Sequence, residues 1–184
     1  MATDPFAASP APDFDDPLGM LAACHRRIER HLATLDRLQR HLPAHGCDDD
    51  ARAAARAILR YFDTAAPNHH ADEEESLFPR LAAAAPGEAT PLIAALARDH
   101  EALAGGWRQL RPQLAGIATG ERANLSAKDV EQARVAYEAH IAREEGELIP
   151  LAAKTLGADA LAAIGREMAA RRGVDPDARP QVGR

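Results

Sequence analysis

Apolar residues in this chain recur at intervals of three and four, not two. Leu18, Leu21, Ile28, Leu32 and Leu35, with His25 among them, fall on one side of a helix. Asp16-Pro17 supplies a capping residue followed by proline at the first turn, so that helix is expected to start there and to end near Leu42-Pro43. A second helix is expected from the aspartates at 48–50 through Ile58, Leu59, Phe62, His69, Glu73 and Leu77. Pro67 lies inside it and is expected to kink it or split it. Thr90-Pro91 opens a third helix through Leu92, Leu96, His100, Leu103, Trp107, Leu110 and Leu114. Ser126 caps a fourth, through Val130, Ala133, Tyr137, His140, Glu144, Leu148 and Leu151. A short fifth follows Gly157, over residues 158–171.

The pattern predicts an all-α protein: an up-down antiparallel four-helix bundle over 17–171 with a short extra C-terminal helix. Residues 1–16, proline-rich and acidic, are expected to be a disordered leader, and 172–184 a flexible tail. Composition agrees, since hydrophobic residues make up 46% but aromatics only 4%, and alanine and leucine favour helix over strand. A formal net charge of -6 with scattered arginines argues against nucleic-acid binding. No apolar run has the length of a membrane span, and the start lacks the pattern of a secretory signal. Cys24 and Cys47 have neither zinc-site spacing nor partners for a disulfide framework, so a cytoplasmic location is the default expectation.

One motif occurs twice. "HHADEEESLFP" ends at Pro79 and "HIAREEGELIP" at Pro150, and both contain H-x-x-x-E-E-x-x-L-[FI]-P. His69 matches His140 and Glu73 matches Glu144. Each copy is preceded by a helix with one histidine on its apolar stripe, His25 or His100. Residues four apart share a helix face, so His69 with Glu73, and His140 with Glu144, can turn to one centre. Unpaired carboxylates on an apolar stripe are costly, and a metal supplies the missing charge. Four imidazoles and two carboxylates suit a pair of iron or manganese ions bridged by the carboxylates, and zinc takes the same ligands.

His70 and Glu74 form a second pair one position on, expected around the ligands or in solvent; a rotation at Pro67 would instead let His70 displace His69. Asp72, Glu75 and Glu145 read as an exposed acidic face, His31 as a packing or supporting residue, and His41 and His45 as solvated. Cys24 beside His25 reads as a small buried residue, with a redox thiol as the alternative. Leu103, Trp107 and Tyr137 have core spacing, or form the walls of a pocket over the metals.

With "CHRRIE", "HHADEEESLFP", "DHEAL" and "HIAREEGELIP" in place, the chain resembles the hemerythrin-like, HHE cation-binding family over about residues 17–155. The resemblance implies an up-down bundle around a non-haem di-iron centre. Its ligands would be His25, His69, Glu73, His100, His140 and Glu144, with the two glutamates bridging. Oxygen-carrying hemerythrins have a further histidine one turn along the third helix, where this chain has Ala104. The resemblance is then to four-histidine members linked to iron handling, nitric oxide or redox stress.

A protein that binds or senses oxygen, nitric oxide or peroxide, or handles iron, is the first expectation, acting alone or through a redox or iron-transfer partner protein. A di-iron oxidoreductase of nitric oxide or peroxide defence is the second, with electrons from outside, because no flavin or nicotinamide fingerprint is present. A structural bundle with a vacant or adventitious metal site is the third.

Overall fold

Asp16 caps the first helix as its sequence predicts, its carboxylate accepting from the Gly19 N–H at 3.0 Å with Pro17 at the first position. In the computed structural model, which describes residues 13–175, this helix, α1, spans Pro17–His45. Gly46 ends it at a φ of 70°, a left-handed value that side chains rarely adopt. Asp48 then caps α2, which runs helically over 49–84. A single non-helical residue, Ala85, separates it from α3, Pro86–Thr119. Gly120, at φ 87°, closes α3 and turns the chain. Ser126 caps α4 by accepting from the Asp129 N–H at 3.2 Å, and α4 covers 127–155. A short α5, Ala158–Arg171, follows. Among the described residues the structure is all-helical.

The third helix starts earlier than expected, at Pro86. Proline at a first turn forfeits no hydrogen bond, and the helix then runs through Pro91 without a break. The leader differs too. Asp16 N–H bonds to the Asp13 carbonyl at 3.0 Å, and Phe14 packs beneath α5. Its carbonyl oxygen would lie 1.9 Å from a Cβ placed on Gly165, so only glycine fits there. The expected disorder over residues 1–12 and beyond 175 lies outside the described residues.

Each long helix packs against two others: α1 on α2 and α4, and α3 on α2 and α4. Between them are two dry clusters. One gathers Ile28, Leu32, Phe62, Leu103, Leu110 and Tyr137; the other gathers Leu21, Leu77, Leu81, Leu96, Leu148 and Met168. On every long helix the expected site histidines and glutamates fall between the two clusters. The order reads Leu21, His25, Ile28 on α1, and Ala66, His69, Glu73, Leu77 on α2. It continues as Leu96, His100, Leu103 on α3, and Tyr137, His140, Glu144, Leu148 on α4. The order of the clusters reverses from each helix to the next. A polar layer is thereby enclosed between two apolar ones, and α5 adds Ile164 and Met168 to one side only.

Candidate metal centre

Two of the groups in this layer are presented by widened turns. Phe78 N–H bonds to the Glu73 carbonyl, and Ile149 N–H to the Glu144 carbonyl, five residues back instead of four. Each of those donors precedes a proline, Pro79 or Pro150, whose ring lacks an N–H and crowds the carbonyl four residues before it. The extra residue in a π turn relieves that crowding. Ala66 N–H bonds to the Tyr61 carbonyl in the same way ahead of Pro67, so α2 is neither split nor ended there. Proline alone does not produce the effect, since Pro43, Pro91 and Pro112 lie in helix without such a turn.

The six expected residues converge, all buried: His25, His69, Glu73, His100, His140 and Glu144. Ligand atoms of His25, His69, Glu73 and Glu144 lie within 4.8 Å of one another, as do those of Glu73, His100, His140 and Glu144. Both glutamates are common to the two groups. Glu73 turns Oε1 to His69 Nε2 at 3.6 Å and Oε2 to His100 Nε2 at 3.3 Å. Glu144 turns Oε2 to His25 Nε2 at 3.0 Å and Oε1 to His140 Nε2 at 3.1 Å. Each carboxylate therefore offers one oxygen to either group, the arrangement a bridge between two cations requires.

His70 joins them. Its ring stacks on His100 at 4.0 Å, and one of its nitrogens lies within 4.8 Å of those of His100 and His140. His69 and His70 thus enter opposite groups, and neither displaces the other. Ala104 is exposed, 40° of helix turn beyond the stripe of His100, Leu103 and Trp107. His70, from α2, supplies a third imidazole beside His100 and His140.

Half-exposed carboxylates hold the outer faces of the rings. His25 Nδ1 bonds to Glu145 Oε1 at 3.0 Å, and His100 Nδ1 to Glu74 Oε1 at 2.6 Å. Asp99 lies 3.6 Å from His140 Nδ1 and also pairs with Arg143. Fixing Nδ1 as donor leaves Nε2 free to coordinate. Glu74, expected around the ligands or in solvent, is half-exposed and bonded to His100. Glu145 does more than face solvent, and Asp72 is not exposed at all, being fully buried and paired with Arg171 and Arg172. Neither role was visible locally, because the partners are distant in sequence.

Burial and mutual repulsion with Glu144 push the Glu73 carboxyl up to about 8. Burial also opposes ionisation of Glu144, but His100, His140 and His25 hold it well below the usual carboxylate range. Burial drives His69 far down and His70 to about 3. Against the same burial, Glu144 and Glu73 raise His100 to about 10, and Glu144 with Glu145 raises His25. Without a cation, then, the layer holds protons where ligands must be bare.

A cleft of about 680 Å³ runs between α3 and α4, lined by Leu32, Leu35, Phe62, Leu103, Trp107 and Tyr137 among others. Leu103 and Tyr137 sit one turn from His100 and His140. The Phe62 ring lies 5.1 Å from Trp107 and 5.6 Å from Tyr137. Trp107 is pinned from outside by Asp63 at 3.0 Å. Cys24 is buried, and burial raises its thiol, which suits packing better than redox chemistry. His31 stacks on Tyr61 at 4.2 Å and His41 bonds to Asp48 at 2.9 Å, both outside the layer. Among the described residues no helix is long and apolar enough to cross a membrane.

Residues 16–152 match the family described as the hemerythrin HHE cation binding domain. A relative from Haemophilus influenzae, described as an uncharacterized protein, is 36% identical over 161 residues, covering 88% of this chain and 92% of its own length.

Proposed function

Since the chain belongs to the hemerythrin HHE cation-binding family, we propose that its metal site is a carboxylate-bridged di-iron centre, in an up-down four-helix bundle, that binds or senses a small ligand such as oxygen, nitric oxide or peroxide. The observation that carries the metal reading is the set of orphaned atoms. Among the described residues, every buried side-chain nitrogen or oxygen without a hydrogen-bond partner belongs to His25, His69, His70, Glu73, His100, His140 or Glu144. Several lie 3.0–3.7 Å from one another yet lack hydrogen-bond geometry. Such atoms aim at common points, and leaving them unpaired in a buried layer is costly.

His25 and His69 would hold one ion, and His70, His100 and His140 the other, with Glu73 and Glu144 shared. A bound pair of irons would supply reversible one-electron chemistry and an open position for a ligand. The protein supplies the rest. Glu145 and Glu74 orient their rings and, with Asp99, offset cation charge, while the two dry clusters exclude bulk water. The cleft, lined by residues of all four long helices, would admit a small uncharged molecule to the edge of the layer. Iron handling is carried by the same site.

Metal analysis of protein purified without added metal, paired with an absorption spectrum in air, tests this reading. About two irons per chain with an oxo-to-iron charge-transfer band is the expected result. A single zinc, or no metal, counts against it. Turnover with a supplied electron donor would move the assignment to an oxidoreductase.

The pKa directions set the pH dependence. Raised pKa values at Glu73, His25 and His100 mean that the metal-free fold holds more protons than the unfolded chain above the ordinary histidine range. Its stability therefore falls as pH rises from about 6.5 to 8. Depressed His69 and His70 act oppositely, but only below that window. Cations compete with those same protons, so metal binding strengthens as pH rises. The gap in melting temperature between loaded and metal-free protein is expected to be wider at pH 8 than at pH 6. Equal gaps would contradict a buried, proton-linked site.

A further inference from the structure

Asp72 is the first residue of the π turn that presents Glu73, and its side chain is 0% exposed. Arg172, just past the end of α5, reaches it with two bonds, Nη2 to Oδ2 at 2.6 Å and Nη1 to Oδ1 at 3.1 Å. Arg171 pairs with Oδ1 from the other side, and also reaches Glu75 Oε2 at 2.9 Å and Ser76 Oγ at 3.4 Å in the same turn. Two guanidiniums thus hold one buried carboxylate, and the turn that carries Glu73 cannot shift without breaking them. The family match ends at residue 152, whereas these arginines stand at the end of a helix spanning Ala158–Arg171. We propose that the C-terminal helix is a positioning clamp for the metal site: Arg171 and Arg172, acting through Asp72, hold the Glu73 turn in its bridging pose and so set cation affinity.

The physical case rests on what each partner could do alone. A buried carboxylate with no cation beside it is strongly disfavoured, so Asp72 would turn outward if the arginines withdrew. Its neighbour Glu73 would lose a restraint with it, because the π turn that carries both is a local irregularity in the helix. α5 also grips α2 through Arg80 and Glu167 at 2.6 Å, seven residues beyond Glu73. That second pair docks the same helix without touching Asp72, and Glu167→Gln leaves in place the bond that Arg80 donates to the Ser76 carbonyl at 2.8 Å, so that variant serves as the control.

The clamp rests on the metal reading above, and the test separates the two. Native protein, Arg171→Gln/Arg172→Gln, the milder Arg172→Gln and the control Glu167→Gln would be titrated with cobalt(II) against a competing chelator. Each would also be melted without metal. The double variant is expected to bind cobalt roughly ten- to a hundredfold more weakly, as supporting contacts of a metal site do. Arg172→Gln should be intermediate, and Glu167→Gln should change only the melting temperature. The cobalt absorption spectrum of the Arg172 variant should also change, which mere loosening of α5 would not produce. Native-like affinity and spectrum in Arg172→Gln overturn the clamp, whether or not the double variant folds. Equal weakening in Glu167→Gln overturns it too, in favour of general docking. A native protein that takes up no cobalt overturns the metal reading itself, and the clamp with it.

Discussion

Glu73→Ala and Glu144→Ala are each expected to release both metal ions together. Each carboxylate faces both histidine groups, Glu73 through His69 and His100, and Glu144 through His25 and His140. Removing one therefore takes a ligand atom from each ion and a negative charge from between them. The loss in affinity should exceed the roughly hundredfold limit typical of supporting residues. Stability should respond with the opposite sign. Glu73 is raised to about 8 because a second carboxylate shares its dry layer. Glu73→Gln, which keeps the shape and drops the charge, should leave the metal-free protein as stable as native below about pH 4.5 and increasingly more stable as pH rises to about 8. Loaded native protein should still melt highest, because a ligand bound only by the folded state adds its binding energy to stability. Metal content of each variant, with melting curves before and after chelation, checks both halves. A variant that keeps two tightly held ions would show that its glutamate does not bridge.

The duplicated motif made this centre legible. His69 and Glu73 before Pro79 recur as His140 and Glu144 before Pro150, each copy is preceded by a helix carrying His25 or His100, and the structure brings those residues into one layer. Helix capping at Asp16, Asp48 and Ser126 was equally legible, since a cap needs only neighbouring residues. What escaped depends on rotation or on distance along the chain. His69 and His70 differ by about 100° around an ideal helix, so adjacent histidines read as one facing in and one facing out. Between two ion positions that same angle lets each ring serve a different group. Asp72 read as solvated because its partners lie 99 and 100 residues away, on an arm of the chain that no local pattern connects to it. Glu145, about half exposed, is both wet and useful, a combination that polarity patterning does not distinguish. Pro67 announced backbone irregularity, but not that the helix would absorb it as a π turn, and the π turns before Pro79 and Pro150, which end on the two glutamate carbonyls, were not read from the sequence.

His70→Ala should reveal an asymmetry between the two ions. One group offers His25 and His69 with the shared glutamates; the other offers His100 and His140 with the same glutamates and His70 beside them. On the di-iron reading, an ion on the His25 side would be one protein ligand short of its neighbour, and the exchangeable position is expected there. Reduced, iron-loaded native protein should then take up one nitric oxide per pair of ions. Removing the His70 imidazole opens a second position without disturbing Glu73 or Glu144. The variant should bind a second nitric oxide, hold its second iron roughly ten- to a hundredfold less tightly, and oxidise faster in air. Stopped-flow mixing with oxygen and nitric oxide titration followed by absorption would read these differences. A ligating His70 would give the site a fifth imidazole, so the lifetime of native protein in oxygen decides between carrier and sensor. Rapid oxidation fits sensing or defence, and a stable reversible oxygen complex fits a carrier. Identical ligand counts and spectra in native and variant protein would place His70 outside the ligand set, as a ring stacked on His100 and nothing more.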